Sequence, residues 1–155
     1  MKKLLLLCIF CASSIAINAQ TQLTTYGWEQ WGIYTSVPVG ANINQNTENV
    51  FEVESDQFFI RLELFDTNGA GIDELSEILL EGATNAGIDA PSQISHFSPN
   101  GNEIAYVTGR DSANNAVLFG LVFGGTEDSF IKYTVVCDSS NWKTAVDMIK
   151  SVKMR

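Results

Sequence analysis

Between Ala116 and Cys137 the chain carries two strand-length apolar runs, Ala116–Phe123 and Phe130–Cys137, separated by Gly124-Gly125-Thr126-Glu127-Asp128-Ser129. Val, Phe, Leu, Ile and Tyr dominate both runs, and such side chains suit the pleated surface of a sheet. The intervening hexapeptide is rich in turn residues, so the pair reads as a β-hairpin. The first run is apolar on both faces, which a strand sustains only when both sides of its sheet are covered. It therefore predicts the middle of a sheet onto which two helices pack.

The rest of the chain supplies the neighbours of that hairpin. Gly32 to Val37 reads as a strand ending at Pro38, whose missing N–H suits a strand end or an edge. Gly40 to Asn49, with asparagine at 42, 44, 46 and 49, reads as an exposed loop. In Val50–Phe65, Phe51 and Val53 alternate with Glu52 and Glu54. Beyond Ser55-Asp56, Phe58, Ile60, Leu62 and Leu64 alternate with Phe59, Arg61 and Glu63. A turn at Ser55-Asp56 would set Val53 opposite Phe58 and Phe51 opposite Ile60, giving an antiparallel hairpin with one buried side.

Helical spacing follows. Ile72, Leu75, Leu79, Ala83 and Ala86 recur at intervals of three and four, with acids at Asp73, Glu74 and Glu77 where the helix dipole favours them. Gly87 is a natural stop, and Gly82 in the interior suggests close packing on the sheet. Ile88 to Ser98 has no regular pattern. Asn100-Gly101 leads into a strand at Glu103–Thr108. Ser139 or Ser140 caps a last helix with an apolar stripe at Trp142, Ala145, Ile149 and Val152, and Lys150, Lys153 and Arg155 sit at its end. The order is β-β-β-α-β-β-β-α, an α+β domain with an antiparallel six-stranded sheet packed by two helices. There is no internal repeat and no linker, so residues 20–155 form one domain.

Residues 1–19 stand apart. Met1-Lys2-Lys3, the apolar run Leu4–Phe10 and the small residues of Ser13–Ala19 have the layout of a secretory signal peptide, too short to span a bilayer. Cleavage after Ala19 starts the mature chain at Gln20, and Ser14-Ile15-Ala16 offers a second site. Leu7 and Phe10 precede Cys8 and Cys11, where lipid attachment needs a small residue, so the chain does not read as a lipoprotein. The expected location is the periplasm or the cell exterior. Loss of Lys2 and Lys3 leaves seven basic residues against eighteen acidic ones, a formal charge of −11. That surface repels phosphate backbones and anionic headgroups, which disfavours nucleic acid and membrane surfaces as partners. Cys137, left as the lone cysteine, cannot form an internal disulfide.

No motif in the chain names an activity, but four constellations carry chemistry in outline. Tyr26, Trp28, Trp31 and Tyr34 could stack on sugars or flat ligands, or could pack the first strand onto the sheet. Trp28, Trp31 and Tyr34 are the candidate ligand-binding residues. Asp66 to Glu77 partly matches a twelve-residue calcium loop, with Asp66, Asn68 and Glu77 as candidate ligands; Ala70 and Asp73 break the pattern, and a polar turn before an acidic helix start is the competing reading. Cys137 and His96 are the elements of a cysteine hydrolase without a flanking motif, so the chain reads as a non-enzyme with no cofactor, calcium being the one alternative. Glu48, Glu52, Glu54 and Asp56 form an acidic strip that reads as a solvated strand face. Phe97–Tyr106 looks like one repeat of a TolB-type β-propeller, but a propeller needs several copies.

The element order, the Val37-Pro38-Val39-Gly40 turn, the Asn100-Gly101 hairpin and the closing Ile149-Lys150-Ser151-Val152 resemble the PsbP-like fold. That group comprises the photosystem II extrinsic protein P, its bacterial relatives and the Ran-binding nuclear import factors. The resemblance implies a sheet flanked by helices and a non-enzymatic accessory or binding role toward a protein or a small ligand. The metal and partner sites of the photosynthetic members map onto no identifiable residues here.

Overall fold

A computed structural model describes residues 20–66, 74–124 and 129–154. Residues 1–19, where the sequence reads as a signal peptide, and most of Asp66–Glu77, the calcium-loop candidate, lie outside the described residues. The larger sheet has seven strands in the order β3-β4-β5-β9-β8-β7-β6, all antiparallel. These are β3 (Asn42–Asn46), β4 (Val50–Glu54), β5 (Phe58–Asp66), β6 (Ser95–Phe97), β7 (Glu103–Arg110), β8 (Ala116–Phe123) and β9 (Ser129–Cys137). A smaller sheet joins β1 (Leu23–Trp28), β2 (Ile33–Pro38) and β10 (Lys153–Met154) in the order β1-β2-β10. The chain leaves the larger sheet after β5, forms α1 (Leu75–Asn85), and meanders back through β6, β7 and β8 so that β9 closes against β5.

The α+β class stands, and the six-stranded sheet is corrected to a seven-stranded sheet plus a three-stranded one. The strand ending at Pro38 belongs to the small sheet. Four strands go beyond the sequence expectation: β1 falls in the aromatic cluster, β3 and β6 in segments that read as irregular, and β10 in a segment that reads as a helix end. β3 is exposed along its whole length, so it carries no apolar alternation, while β6 and β10 are only three and two residues long. In the β4–β5 hairpin the apolar sets do share a face, but Val53 lies opposite Ile60 and Phe51 opposite Leu62. The turn centres on Asp56-Gln57: the Ser55 N–H donates to the Phe58 carbonyl at 2.8 Å, and the Phe58 N–H to Ser55 Oγ at 3.2 Å. A slip of two residues keeps every side chain on its face, which is why alternation alone could not detect it.

Covering of both sheet faces follows from β8, which is buried from Ala116 to Val122. On one face Val117, Phe119 and Leu121 pack with Leu79 and Ala83 of α1. On the other, Ala116, Leu118 and Val122 join Trp28, Ile33 and Val37 of the small sheet and Ala145, Met148 and Ile149 of α2 (Trp142–Lys150). Each large side chain buried this way contributes about 1.5–3 kcal/mol. Two close approaches set the helix heights. A Cβ built on Gly82 of α1 would lie 2.4 Å from the Phe119 ring, and one on Gly120 of β8 would lie 2.4 Å from Ile149 of α2. α2 has no side-chain cap; a 3-10 turn at Ser139–Asn141 leads into it instead.

One polar contact crosses the larger core. The Tyr133 hydroxyl of β9 lies 2.9 Å from the Thr35 hydroxyl of β2, and Thr35 in turn reaches the Met148 carbonyl of α2 at 3.4 Å. Both residues are buried, and burial pushes the Tyr133 phenol well above its ordinary range. Replacing Tyr133 by Phe removes one partner of a buried pair, for which a loss of about 1–2 kcal/mol is expected. Calorimetry should register this as a fall in Tm of about 3–8 °C.

Candidate functional site

The aromatic run near the N-terminus is divided between different tasks. Trp28 is 1% exposed, its ring 6.2 Å from Phe51, and its Nε1 donates to the Thr47 carbonyl at 2.8 Å. Trp31, in a 3-10 turn at Glu29–Trp31, is 44% exposed but donates its Nε1 to the Glu48 carbonyl at 2.7 Å. Gln30 Nε2 also donates to the Thr47 carbonyl. Together these three donors clasp the small sheet to the β3–β4 turn. Tyr34 lies across from Gly27, its ring close enough that a Cβ at Gly27 would come within 2.9 Å. The three candidate residues therefore form no common stacking surface: Trp28 is in the core and Tyr34 lies against the outer side of β1.

The thiol and the imidazole also lie apart. Cys137 faces the core shared with α2, whereas His96 pairs with Ala105 of β7 on the face covered by α1. The sheet separates thiol from imidazole, so they form no catalytic pair. Burial, assisted by the nearby Asp138 charge, pushes the Cys137 thiol up to about 11, the opposite of what a nucleophilic thiolate needs. Asp66 ends β5 and Glu77 is exposed in the first turn of α1. Asn68 lies outside the described residues. Among the described residues no three His, Cys, Asp or Glu side chains cluster closely enough to hold a metal ion. The acidic strip is partly compensated: Glu52, 8% exposed, meets Arg61 at 3.2 Å, and Asn44 donates to Glu54 at 2.8 Å.

The site that does converge is a pocket of about 270 Å³ between the first turns of α1 and the β6–β7 edge of the sheet. Leu75 and Leu79 of α1, Ile94, Ala105 of β7 and Phe123 of β8 supply its apolar wall. Ser76, His96, Ser98 and Glu103 bring polar groups to the rim. The strand register explains the grouping. His96 sits beside Ala105, and Glu103 sits opposite Phe123, so all four project toward α1. A concave apolar site with a few polar groups at its mouth is the usual form of a ligand pocket. Leu75 and Leu79 were legible as a helix stripe and His96 as a lone histidine. Ile94 and Glu103 carried no signal, because only the missed strand β6 and the pairing of β7 bring them together.

No family model matches the chain, and no curated protein sequence matches it. Solved structures do. The cyanobacterial PsbP (CyanoP) from Synechocystis sp. PCC 6803 aligns with a TM-score of 0.57 at 10% identity, over 94% of this chain and 99% of that one. The Saccharomyces cerevisiae Ran-binding protein Mog1p aligns with a TM-score of 0.56 at 13% identity, over 86% of this chain and 96% of that one. This chain has the PsbP-like fold. A Bacteroides thetaiotaomicron protein aligns with a TM-score of 0.50 at 15% identity over 88% of this chain, which spans 49% of that longer chain. At such identities the likeness establishes the PsbP-like architecture and no more.

The buried thiol gives a direct check. Native protein at about pH 8 should resist iodoacetamide, and unfolding in denaturant should expose Cys137 to quantitative labelling. Because the folded thiol titrates above the unfolded one, the stability it contributes is complete below the unfolded value of about 8.5 and is lost as pH rises through about 11. Denaturation midpoints taken across that range in wild type and Cys137→Ala should diverge, with the wild type falling more steeply.

Proposed function

We propose that this chain is an exported, non-catalytic binding domain that receives a small, largely apolar ligand in the pocket between α1 and the β6–β7 edge. The observation that carries this reading is the pocket itself. Its apolar wall is continuous with the core around Leu79 and Phe119, and its mouth holds polar side chains that the described protein does not use. A cavity of roughly 150 Å³ takes one benzene, so a pocket of about 270 Å³ has room for a larger aryl or alkyl group. Mog1p is a Ran-binding protein, which supports the fold as a scaffold for binding. Ran itself is not carried over, since the N-terminal segment has the features of an export signal. The separation of Cys137 from His96 supports a role without nucleophilic catalysis.

The test is pocket filling. N-phenylnaphthylamine, an uncharged fluorophore that brightens in apolar surroundings, should bind the mature protein saturably. Ala105→Phe adds a ring to the pocket floor on a strand that favours aromatics, and binding should fall at least tenfold with Tm held or raised. Dye binding that is indifferent to Ala105→Phe, in a variant that melts like wild type, overturns the assignment. Intact mass of the exported protein should place its N-terminus at Gln20.

A further inference from the structure

Resting on that pocket reading, we infer that the ligand is a primary ammonium carried on an aryl or alkyl body, with Glu103 as the selecting residue. Four polar side chains stand at the mouth: Ser76, His96, Ser98 and Glu103. None has a hydrogen bond or ion pair within the described residues, and none of the described lining residues is Lys or Arg. Among the described lining residues, Glu103 is therefore the one carboxylate, and no basic Lys or Arg stands against it.

Geometry places that carboxylate well. Glu103 is exposed and lies directly across the strand pair from Phe123, so its charge stands at the water side of an apolar wall. A ligand inserting its apolar body between Leu79, Ala105 and Phe123 would bring a terminal ammonium to this rim. An ammonium donates three hydrogen bonds and accepts none, and the carboxylate and the two hydroxyls can all accept. A ligand carboxylate in the same place would meet Glu103 as a like charge. The start of α1, which also borders the pocket, could favour an anion through its dipole. Glu74 at the helix cap and Glu77 in the first turn already place negative charge there. The surplus of acidic residues over the whole mature chain acts in the same direction, concentrating cations near the surface.

The experiment uses matched ligands that differ only in the head group: phenylpropylamine, phenylpropanol and phenylpropanoate, titrated calorimetrically into the mature protein at neutral pH. The amine should bind about fivefold tighter than the alcohol, the scale of one solvent-exposed charge pair, with the carboxylate weakest. Added salt should narrow the ratio. Glu103→Gln should bring the amine down to the alcohol, and Ala105→Phe should weaken both. Equal amine and alcohol binding that Ala105→Phe still abolishes overturns the charge selection and leaves the pocket standing. Amine binding that survives Ala105→Phe overturns both, because the cation is then held elsewhere. Blocked lysine, which offers the same ammonium on a thin stem, should bind more weakly than phenylpropylamine. Equal affinity would overturn a bulky free amine in favour of a partner's lysine side chain.

Discussion

The hydrogen-bonded pair of Tyr133 and Thr35 is the contact on which the layering depends. It joins the middle strand of the larger sheet to the middle strand of the smaller one, inside a core otherwise built from aliphatic and aromatic groups. A hydroxyl left alone there would cost about as much as a large hydrophobic group contributes. The Tyr133 hydroxyl meets this partner only in one relative placement of the two sheets. Apolar packing makes the layers adhere, and this pair specifies their lateral position. Ser151 and Asn102 extend the arrangement at the sheet margin: Ser151 Oγ accepts from the Ser36 N–H at 2.7 Å, and Asn102 Nδ2 donates to the Val152 carbonyl at 3.0 Å. The C-terminal residues are tied to both sheets by these bonds, and that is how so short a strand as β10 is held.

The two faces of the larger sheet are thereby given different characters. On the α2 side the small sheet and the helix together cover nearly every strand. On the opposite side α1 packs on β7 and β8, while β4 and β5 present Glu52, Arg61 and Glu63 in a partly exposed network. Exposed pairs of this kind contribute little to stability. Their charges keep an uncovered strand face from recruiting other sheets.

Bilateral burial of β8 was written plainly in its unbroken apolar run, and with it the presence of a helix on each side. The interior position of Gly82 also announced its close approach. What could not be read has identifiable physical causes. β3 is exposed throughout, so no residue in Asn42–Asn46 had to be apolar, and its asparagines looked like a loop. The β4–β5 register differs from expectation by two residues, a shift to which period-two alternation is blind. Trp28 and Trp31 were visible as a cluster, but whether an indole N–H serves a ligand or a neighbouring carbonyl depends on where residues 47 and 48 come to lie. The pocket was the least legible feature. Its members come from four separate stretches of chain, and Glu103 differs in no local respect from any other strand-end acid.

The contact of Gly82 with Phe119 has a geometric effect beyond packing. α1 is pressed onto the sheet at Gly82 and Ala83, while Leu75 and Ser76, about two turns earlier, border open space. The helix and the sheet thus form a wedge with its vertex at Gly82 and its mouth at the N-terminal end of α1. The chamber's width is governed by the residue at the vertex, roughly 10 Å along the axis from the mouth. Descendants of this chain could retune the size of what enters by exchanging one small residue that never touches it.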